Sequence, residues 1–286
     1  MIGPALAPIF VFLWSTGFIS AKLGLPFAEP LAFLCTRYAL VIILMLVATR
    51  IFRAPWPDSR RGVLHIAIAG VLIQATYLGG VFMAIHQGLP AGLTALIVGL
   101  QPIVTALVAG WMLREKVTSA QWAGLALGFV GVALVILHSH APGLSNPWPL
   151  SALWPALAAL IGITLGTVYQ KRFCPAFDLR TGAVIQFSAS LLLTLPIAAA
   201  SGNLHIEWSG QFTFALLWAV LMLSVTAISV LNILIRRGTA VHVTSLFYLT
   251  PPTTALLAWW LFDESLQALA LLGMVLAVFG VWLSRR

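Results

Sequence analysis

Residues 249–283, LTPPTTALLAWWLFDESLQALALLGMVLAVFGVWL, repeat the pattern of residues 100–134, LQPIVTALVAGWMLREKVTSAQWAGLALGFVGVAL. Leu100 aligns with Leu249, at an offset of 149 positions, and the two stretches share a proline, a tryptophan, a glutamate and two glycines. An internal repeat fixes the architecture, because each copy must form the same structural unit. Both copies are almost wholly apolar, so we predict that the repeated unit lies in a membrane.

The composition agrees with a membrane protein. Hydrophobic residues make up 61% of the chain and charged residues 8%, and the mean hydropathy is +1.03. A soluble domain has about a quarter of its residues charged. The formal net charge of +8 does not indicate nucleic-acid binding, because the charges lie in short gaps between apolar runs rather than on one basic face.

Ten stretches have the roughly 20 apolar residues that a transmembrane helix requires. They are residues 5–24, 31–50, 63–85, 91–112, 119–138, 151–170, 181–200, 212–234, 242–262 and 266–284. Residues 1–140 hold the first five helices, and residues 151–286 hold the second five. Because each copy has an odd number of spans, the copies must have opposite orientations, as in the inverted repeats of secondary transporters. We predict one all-α membrane domain of ten helices in two inverted five-helix repeats.

Basic residues set the predicted orientation, since cytoplasmic loops carry an excess of Lys and Arg. One set of alternating helix ends holds most of them: Arg50, Arg53, Arg60, Arg61, Arg114, Lys116, Lys171, Arg172, Arg180, Arg236, Arg237, Arg285 and Arg286. The opposite ends hold only Lys22 and Arg37. Both termini are therefore predicted to be cytoplasmic. Cys35 and Cys174 then lie on opposite sides of the membrane and cannot pair.

Several polar and aromatic side chains lie near the middle of predicted spans, namely Trp14, Gln74, Tyr77 and Gln101. Trp and Tyr usually collect at membrane interfaces, and a buried amide needs partners or water. These residues predict a central cavity, with packed core positions as the alternative for the two aromatic residues. All seven Asp and Glu residues lie in loops or at span edges, so the sequence offers no carboxylate relay for protons or sodium.

Pro102 and Pro251 occupy the same position in the two copies, each near the middle of a predicted span. Proline removes a backbone donor and strains the preceding turn, which frees carbonyl groups that only protein or a wet cavity can satisfy. Interrupted helices at symmetric positions point to a transporter site. We predict that both prolines act as hinges, with a pair of kinks without function as the alternative.

Two further patterns leave alternatives open. Lys22 and Arg37, the outer cations, could attract a substrate carboxylate, pair with Glu29, or reach the lipid headgroups. The small-residue pairs Gly124–Gly128, Gly162–Gly166 and Gly273–Ala277 predict close helix packing within the fold, with contacts between two copies as the alternative. A monomer is predicted on this basis, and a dimer is the other option.

The sequence lacks the HExxH and GxSxG motifs and a pair of membrane carboxylates, which are signatures of catalysis. His138 and His140 have no third metal ligand nearby in the sequence. We therefore predict that the protein is not an enzyme and that it binds no metal and no cofactor.

The chain resembles the EamA-type ten-helix members of the drug/metabolite transporter superfamily over essentially its whole length. The residues that carry the resemblance are Leu13-Trp14-Ser15-Thr16 with Lys22, Arg37-Tyr38, Gln101-Pro102 with Glu115, and Tyr248-Leu249-Thr250-Pro251 with Glu264. The Leu-Trp-Ser-Thr run, and Asn232 placed ahead of Tyr248, are similar to the aromatic amino-acid exporter branch, which differs at Gln101. The resemblance implies a cavity lined by helices 1, 3, 4, 6, 8 and 9. It assigns substrate binding to Trp14, Gln74, Tyr77, Gln101, Tyr169, Asn232 and Tyr248.

Together these patterns predict an inner-membrane permease that exports amino acids, aromatic ones among them, or related amphipathic metabolites by alternating access. Its partners would be the small-molecule substrate and membrane lipid. The alternatives are an efflux transporter for cationic or lipophilic drugs, a lipid scramblase and a membrane-embedded enzyme. A buried cationic drug would favour an embedded carboxylate, which the predicted spans lack.

Overall fold

The computed structural model describes residues 5–89, 94, 97–113, 116–138, 149–174, 177–202, 204–262 and 268–284. Within them the secondary structure is helical, apart from an isolated β-bridge between Ala28 and Ile206. The prediction of an all-α protein is confirmed for these residues. The turns that follow the fourth and ninth predicted spans, Arg114–Lys116 and Asp263–Ser265, lie partly and wholly outside the described residues.

The helices of the first half agree with the predicted spans to within a few residues, except for the fourth. They are α1 Leu6–Gly24, α2 Pro30–Ile51, α3 Arg60–His86, α4 Gln101–Met112 and α5 Ser119–His138. The described helix α4 follows a turn at Gly99 and Leu100, and Thr94, Ile97 and Val98, earlier in the same predicted span, are also helical.

The helices of the second half follow the same order. They are α6 Leu150–Phe173, α7 Leu179–Ala200, α8 Gly210–Arg237, α9 in the consecutive segments Ala240–Ser245, Leu246–Leu249 and Thr250–Phe262, and α10 Ala268–Leu283. By length and composition, α2, α3, α6, α7 and α8 can each cross a membrane. Large apolar side chains such as Ile43, Leu192 and Val275 are exposed on these helices and on α10. Such an exterior suits contact with lipid.

Side-chain caps fix the starts of several helices. The hydroxyl groups of Ser59, Ser209 and Thr239 each accept a hydrogen bond from a backbone N–H in the first turn of α3, α8 and α9. Asp178 caps α7 in the same way, and its carboxylate also receives Arg180 Nε at 3.0 Å and Nη2 at 2.7 Å. These bonds replace the intrahelical partners that the first N–H groups lack.

Replacing Asp178 by alanine is expected to destabilise the protein by about 1 kcal/mol at neutral pH, the usual contribution of an N-cap. The Arg180 guanidinium lowers the pKa of the Asp178 carboxyl below its usual value. The stabilisation is therefore complete above the unfolded-state pKa of about 4 and is lost as the pH falls through the folded-state value. Melting temperatures of both proteins in detergent, measured from pH 7 downward, should converge. The exposed Asp58→Ala serves as the control, and a gap that is constant with pH would contradict the assignment.

Both helices that carry the repeated proline are interrupted just before it. Pro102 lies in the first turn of α4, directly after the turn at Gly99 and Leu100. Pro251 lies in the first turn of the last segment of α9, after the 3-10 turn Leu246–Leu249. Proline fits there because the first-turn N–H groups have no intrahelical partner to lose. The prolines therefore begin a helical segment rather than kink the middle of a continuous helix.

Two π-helical segments also occupy repeat-related positions. They are Val71–Leu78 in α3 and Ala219–Ala227 in α8, and the 149-residue offset places the first segment within the second. A π segment widens the helix, shifts its hydrogen bonds to the fifth residue along, and occurs often at functional sites. The repeat thus places the same helical irregularity in both halves of the chain.

The most extensive helix contact joins the repeat-related helices α5 and α10, and α2 also packs along its repeat-related helix α7. Glycine permits the first contact. A Cβ atom on Gly280 would meet Gly124 O at 2.7 Å and Gly128 N at a still shorter distance. On α6, a Cβ atom on Gly162 would lie 2.9 Å from Leu72 O, and one on Gly166 would lie 2.6 Å from Ile73 Cγ1, both in the π segment of α3. The predicted packing of these small residues within the fold is confirmed.

Candidate substrate cavity

A cavity of about 90 Å³ lies between α1, α2, α3 and α8. Most of its wall is apolar, with Leu78, Val81 and Phe82 from α3 and Leu223 and Ile228 from α8. The side chains in its wall that carry polar atoms are Trp14, Arg37, Gln74 and Tyr77. Both π segments contribute to this wall, so the widened turns of α3 and α8 face one another across the cavity.

Aromatic rings form one side of the cavity. Trp14 of α1 stacks on Tyr77 of α3, with ring centroids 6.4 Å apart and planes inclined by 13°. The rings of Phe10 and Phe247 also pack against Trp14, with ring-centroid distances of 5.1 and 5.2 Å. The aromatic group therefore joins α1, α3 and the 3-10 turn of α9, and two of its members, Trp14 and Tyr77, belong to the cavity wall.

Gln74 is the buried amide of the cavity. Its residue exposure is 0%, and neither its Oε1 nor its Nε2 has a hydrogen-bond partner among the described residues. The phenol of Tyr38 donates to the Gln74 backbone carbonyl at 2.7 Å, which holds this turn of the π segment in place. A buried amide without hydrogen-bond partners destabilises the folded state by about 1–3 kcal/mol. Its donor and acceptor are thus unpaired in a residue that belongs to the cavity wall.

Arg37 is the charged group of the cavity. Its residue exposure is 5%, and its Nε donates to Ser224 Oγ in the π segment of α8 at 2.7 Å. Glu29 does not pair with it but lies 3.9 Å from His86 Nε2. Of the three interpretations of Arg37, pairing with Glu29 and contact with lipid headgroups do not fit this position. The side chain of Lys22 lies outside the described part of the structure.

A second, wider opening of about 280 Å³ continues from the cavity, with which it shares Leu25, Phe82 and Ile85. Its wall carries four titratable side chains: Glu29, His86, His205 and Glu207. The loop after α7 forms part of it and is held to the turn between α1 and α2 by backbone bonds from Glu29 N to His205 O and from Glu207 N to Phe27 O. We call this opening the vestibule.

Both halves of the chain match the EamA-like transporter family, over residues 1–137 and again over residues 150–286. The chain belongs to this family. It is therefore a membrane transporter, as predicted.

Relatives of the transporter share its whole length. The "Uncharacterized inner membrane transporter YedA" of Escherichia coli K12 is 27% identical to it, over 97% of this chain and 88% of that protein. The "Probable amino-acid metabolite efflux pump" of Salmonella typhimurium is 24% identical, over 98% and 93% of the two chains. A solved crystal structure has the same fold, with a TM-score of 0.77 at 18% identity, over 97% of this chain and 94% of the other.

Two other residues predicted to bind substrate lie at the opposite, basic end of the transporter. Asn232 accepts a hydrogen bond from Gln170 Nε2 at 2.7 Å, and Gln186 Nε2 donates to Gln170 Oε1 at 3.0 Å. All three amides are buried and join α6, α7 and α8. Tyr169, next to them, is half-buried and its hydroxyl lies 2.6 Å from His65 Nδ1. We call Gln170, Gln186 and Asn232 the amide chain.

The remaining predicted residues lie at the interrupted helices. Gln101, the first residue of α4, is fully buried, and its side-chain amide has no partner among the described residues. Tyr248 lies in the 3-10 turn of α9 and packs on Gly128. Neither residue is part of the cavity wall. Trp14, Gln74 and Tyr77 therefore meet in one cavity, while the other four lie elsewhere, and substrate binding by all seven stays a prediction.

Sequence reasoning placed Arg37 at the outer end of α2 and so left it out of the predicted site. The residue lies seven positions after Pro30, which is about 10 Å along a helix at 1.5 Å per residue. Counting that rise would have put the guanidinium well below the interface.

Among the described residues, no group of three His, Cys, Asp or Glu side chains is placed to hold a metal ion.

Proposed function

We propose that this transporter is an inner-membrane permease that exports amino acids or related small amphipathic metabolites by alternating access around the cavity. The observation that carries the proposal is the cavity wall, which combines an apolar surface and stacked rings with one buried guanidinium and one buried amide. An amino acid has the complementary parts, an apolar side chain beside a compact zwitterion. The relatives named as amino-acid metabolite efflux pumps support the same substrate class.

Aromatic amino acids are the finer proposal. Trp14 and Tyr77 present parallel rings at the cavity, and Phe82 adds a third ring to the wall. Offset stacking on such rings stabilises a bound aromatic side chain by about 0.5–1.5 kcal/mol beyond its buried area. Branched aliphatic amino acids would fill the same apolar wall without that gain.

The proposed topology has ten spans in two inverted repeats, residues 1–140 and 151–286, with both termini in the cytoplasm. Two observations support it: the family matches each half separately, and the repeat-related pairs α5–α10 and α2–α7 pack on one another. The vestibule would then face the outside and the amide chain the cytoplasm. In this arrangement the cavity continues into the vestibule on the outer side.

Pro102→Ala and Pro251→Ala are expected to slow turnover about fivefold, equivalent to about 1 kcal/mol in the barrier, with less effect on substrate affinity. Each alanine restores a backbone donor next to an interruption and so favours a continuous, stiffer helix. The hinge proposal requires α4 and α9 to change shape at these points. Rates and half-saturation constants in proteoliposomes separate the two effects, and unchanged rates in both variants would remove the hinge role.

Uptake into proteoliposomes that contain only this protein tests the proposed function. A panel of labelled aromatic, branched and polar amino acids is compared with the cationic dye ethidium, with and without a pH gradient. We expect saturable uptake of aromatic or branched amino acids that does not depend on the gradient, because no predicted span holds a carboxylate relay. Uptake of ethidium without uptake of any amino acid would instead indicate drug efflux.

A further inference from the structure

Arg37 is a buried cation whose one hydrogen-bond partner among the described residues is neutral. Its Nε donates to the hydroxyl of Ser224, and the two ion pairs of the described part of the chain, His86–Glu29 and Arg180–Asp178, do not involve it. A guanidinium removed from water is strongly destabilised unless an anion is near. The hydroxyl orients the side chain but leaves the positive charge in the cavity uncompensated.

The remaining donors of Arg37 suit a carboxylate. A guanidinium carries five N–H donors in one plane, and Ser224 uses only the one on Nε. The two Nη nitrogens can therefore donate together to the two oxygens of a carboxylate, which is the bidentate arrangement in which arginine binds most selectively. Gln74 lies in the same wall and offers an unused amide oxygen to an ammonium group.

The repeat shows that the fold does not require a cation at this position. The residue related to Arg37 by the 149-residue offset is Gln186, also buried, whose amide is satisfied within the amide chain. The next pair, Tyr38 and Phe187, lies in ring contact at 5.6 Å and links the packed helices α2 and α7. One copy of the repeat thus folds with a neutral, paired amide where the other has a charge facing a cavity.

Arg37 and Ser224 also join the two halves of the chain, since one belongs to α2 and the other to the π segment of α8. We propose that this pair is the specificity site of the transporter: Arg37 binds the carboxylate of the transported solute, and Ser224 positions the guanidinium. The substrates are then acids or zwitterions, and amines without a carboxylate are excluded. The inference rests on the proposed function and names the group by which that permease selects its substrate.

Four ligands that share the leucine side chain test the site: L-leucine, L-leucinamide, 4-methylpentanoate and isopentylamine. Binding to purified protein in detergent is measured by the shift in melting temperature across a concentration series. The wild type is expected to bind leucine and 4-methylpentanoate and to discriminate against leucinamide and isopentylamine. Arg37→Gln should weaken binding of the two carboxylates about tenfold or more, as expected for loss of a charge-assisted hydrogen bond, and should not weaken binding of leucinamide.

Three further variants sharpen the result. Arg37→Lys keeps the charge without the planar pair of donors and should recover only part of the carboxylate affinity. Ser224→Ala keeps Arg37 and should reduce the discrimination between acid and amide less than Arg37→Gln does. This variant also tests the site if Arg37→Gln does not fold. Arg61→Gln makes the same exchange at an exposed position and should bind all four ligands like the wild type.

Three outcomes would overturn the site. The wild type could bind isopentylamine as well as leucine, it could bind none of the four ligands, or Arg37→Gln could be weakened equally for every ligand. Leucine uptake in proteoliposomes distinguishes a failure of the proposed carboxylate site from a failure of the proposed permease function. Carboxylate binding that depends on Arg37, without transport of any amino acid, supports the site and contradicts the permease. If Arg37→Gln transports amino acids and keeps the wild-type preference for acids over amides, the result supports the permease and contradicts the site.

Discussion

Replacing Gln74 by leucine is expected to reduce transport about tenfold or more while leaving the protein at least as stable as the wild type. Gln74 is fully buried in the cavity wall, and its side-chain amide has no partner among the described residues. A leucine of similar size removes that unsatisfied group, which by itself favours the folded state by about 1–3 kcal/mol. The same exchange removes the donor and acceptor that a zwitterionic solute would use.

Gln186→Leu is the matched control, because Gln186 is equally buried but paired. Its Nε2 donates to Gln170 Oε1, and the leucine variant leaves that acceptor without this donor. We expect a loss of about 1–3 kcal/mol in stability. Melting temperatures and initial uptake rates, measured on all three proteins, should show opposite effects of the two substitutions on stability. A Gln74→Leu protein that transports normally, or that melts well below the wild type, would contradict the assigned role.

Gly280→Ala is expected to destabilise the protein by about 1–3 kcal/mol although it adds a single methyl group. The added Cβ would lie 2.7 Å from Gly124 O and closer still to Gly128 N, and backbone atoms of α5 cannot move aside as a side chain could. The helices α5 and α10 must then separate along their contact. Larger residues at this position should prevent the repeat-related pair from packing.

Gly79→Ala makes the same chemical change where nothing lies within 4 Å of the new methyl group. Alanine is favoured over glycine inside a helix by about 1 kcal/mol, so this variant should be as stable as the wild type or more stable. Thermal unfolding in one detergent, followed by tryptophan fluorescence, compares the two. Equal melting temperatures for both variants would show that the α5–α10 contact is looser than the structure places it.

The sequence predicted the helices well for two reasons. The length of an apolar run is a local signal, and the 149-residue repeat provides a second copy of each helix in the other half of the chain. Predicted spans 119–138 and 181–200 agree with α5 Ser119–His138 and α7 Leu179–Ala200 at or near both ends. Pro102 and Pro251 were predicted near the middle of their spans, in interrupted helices. Each lies in the first turn of a helical segment, just after an interruption, where proline is tolerated.

The site was less predictable because it depends on which helices meet. Trp14, Gln74 and Tyr77 were identified from their depth alone, and they share the cavity wall. Asn232 was predicted for the same wall but lies in the amide chain, since pairing with Gln170 requires the packing of α6 against α8. The π segments carry no sequence pattern that distinguishes them from ordinary helix. Arg37 was assigned to a helix end because its charge was weighed without its depth.

Protection of a cysteine in the cavity wall tests most directly whether amino acids occupy this cavity. In a protein with Cys35→Ala and Cys174→Ala, the substitution Ala21→Cys places a thiol in the wall, and Ser201→Cys places one on an exposed turn after α7. Labelling by a charged thiosulfonate is timed with and without a saturating amino acid that exchanges in proteoliposomes. We predict that the amino acid slows labelling at Ala21→Cys severalfold and leaves Ser201→Cys unchanged. Unchanged labelling at Ala21→Cys, in a protein that transports the amino acid, would place the pathway outside the cavity.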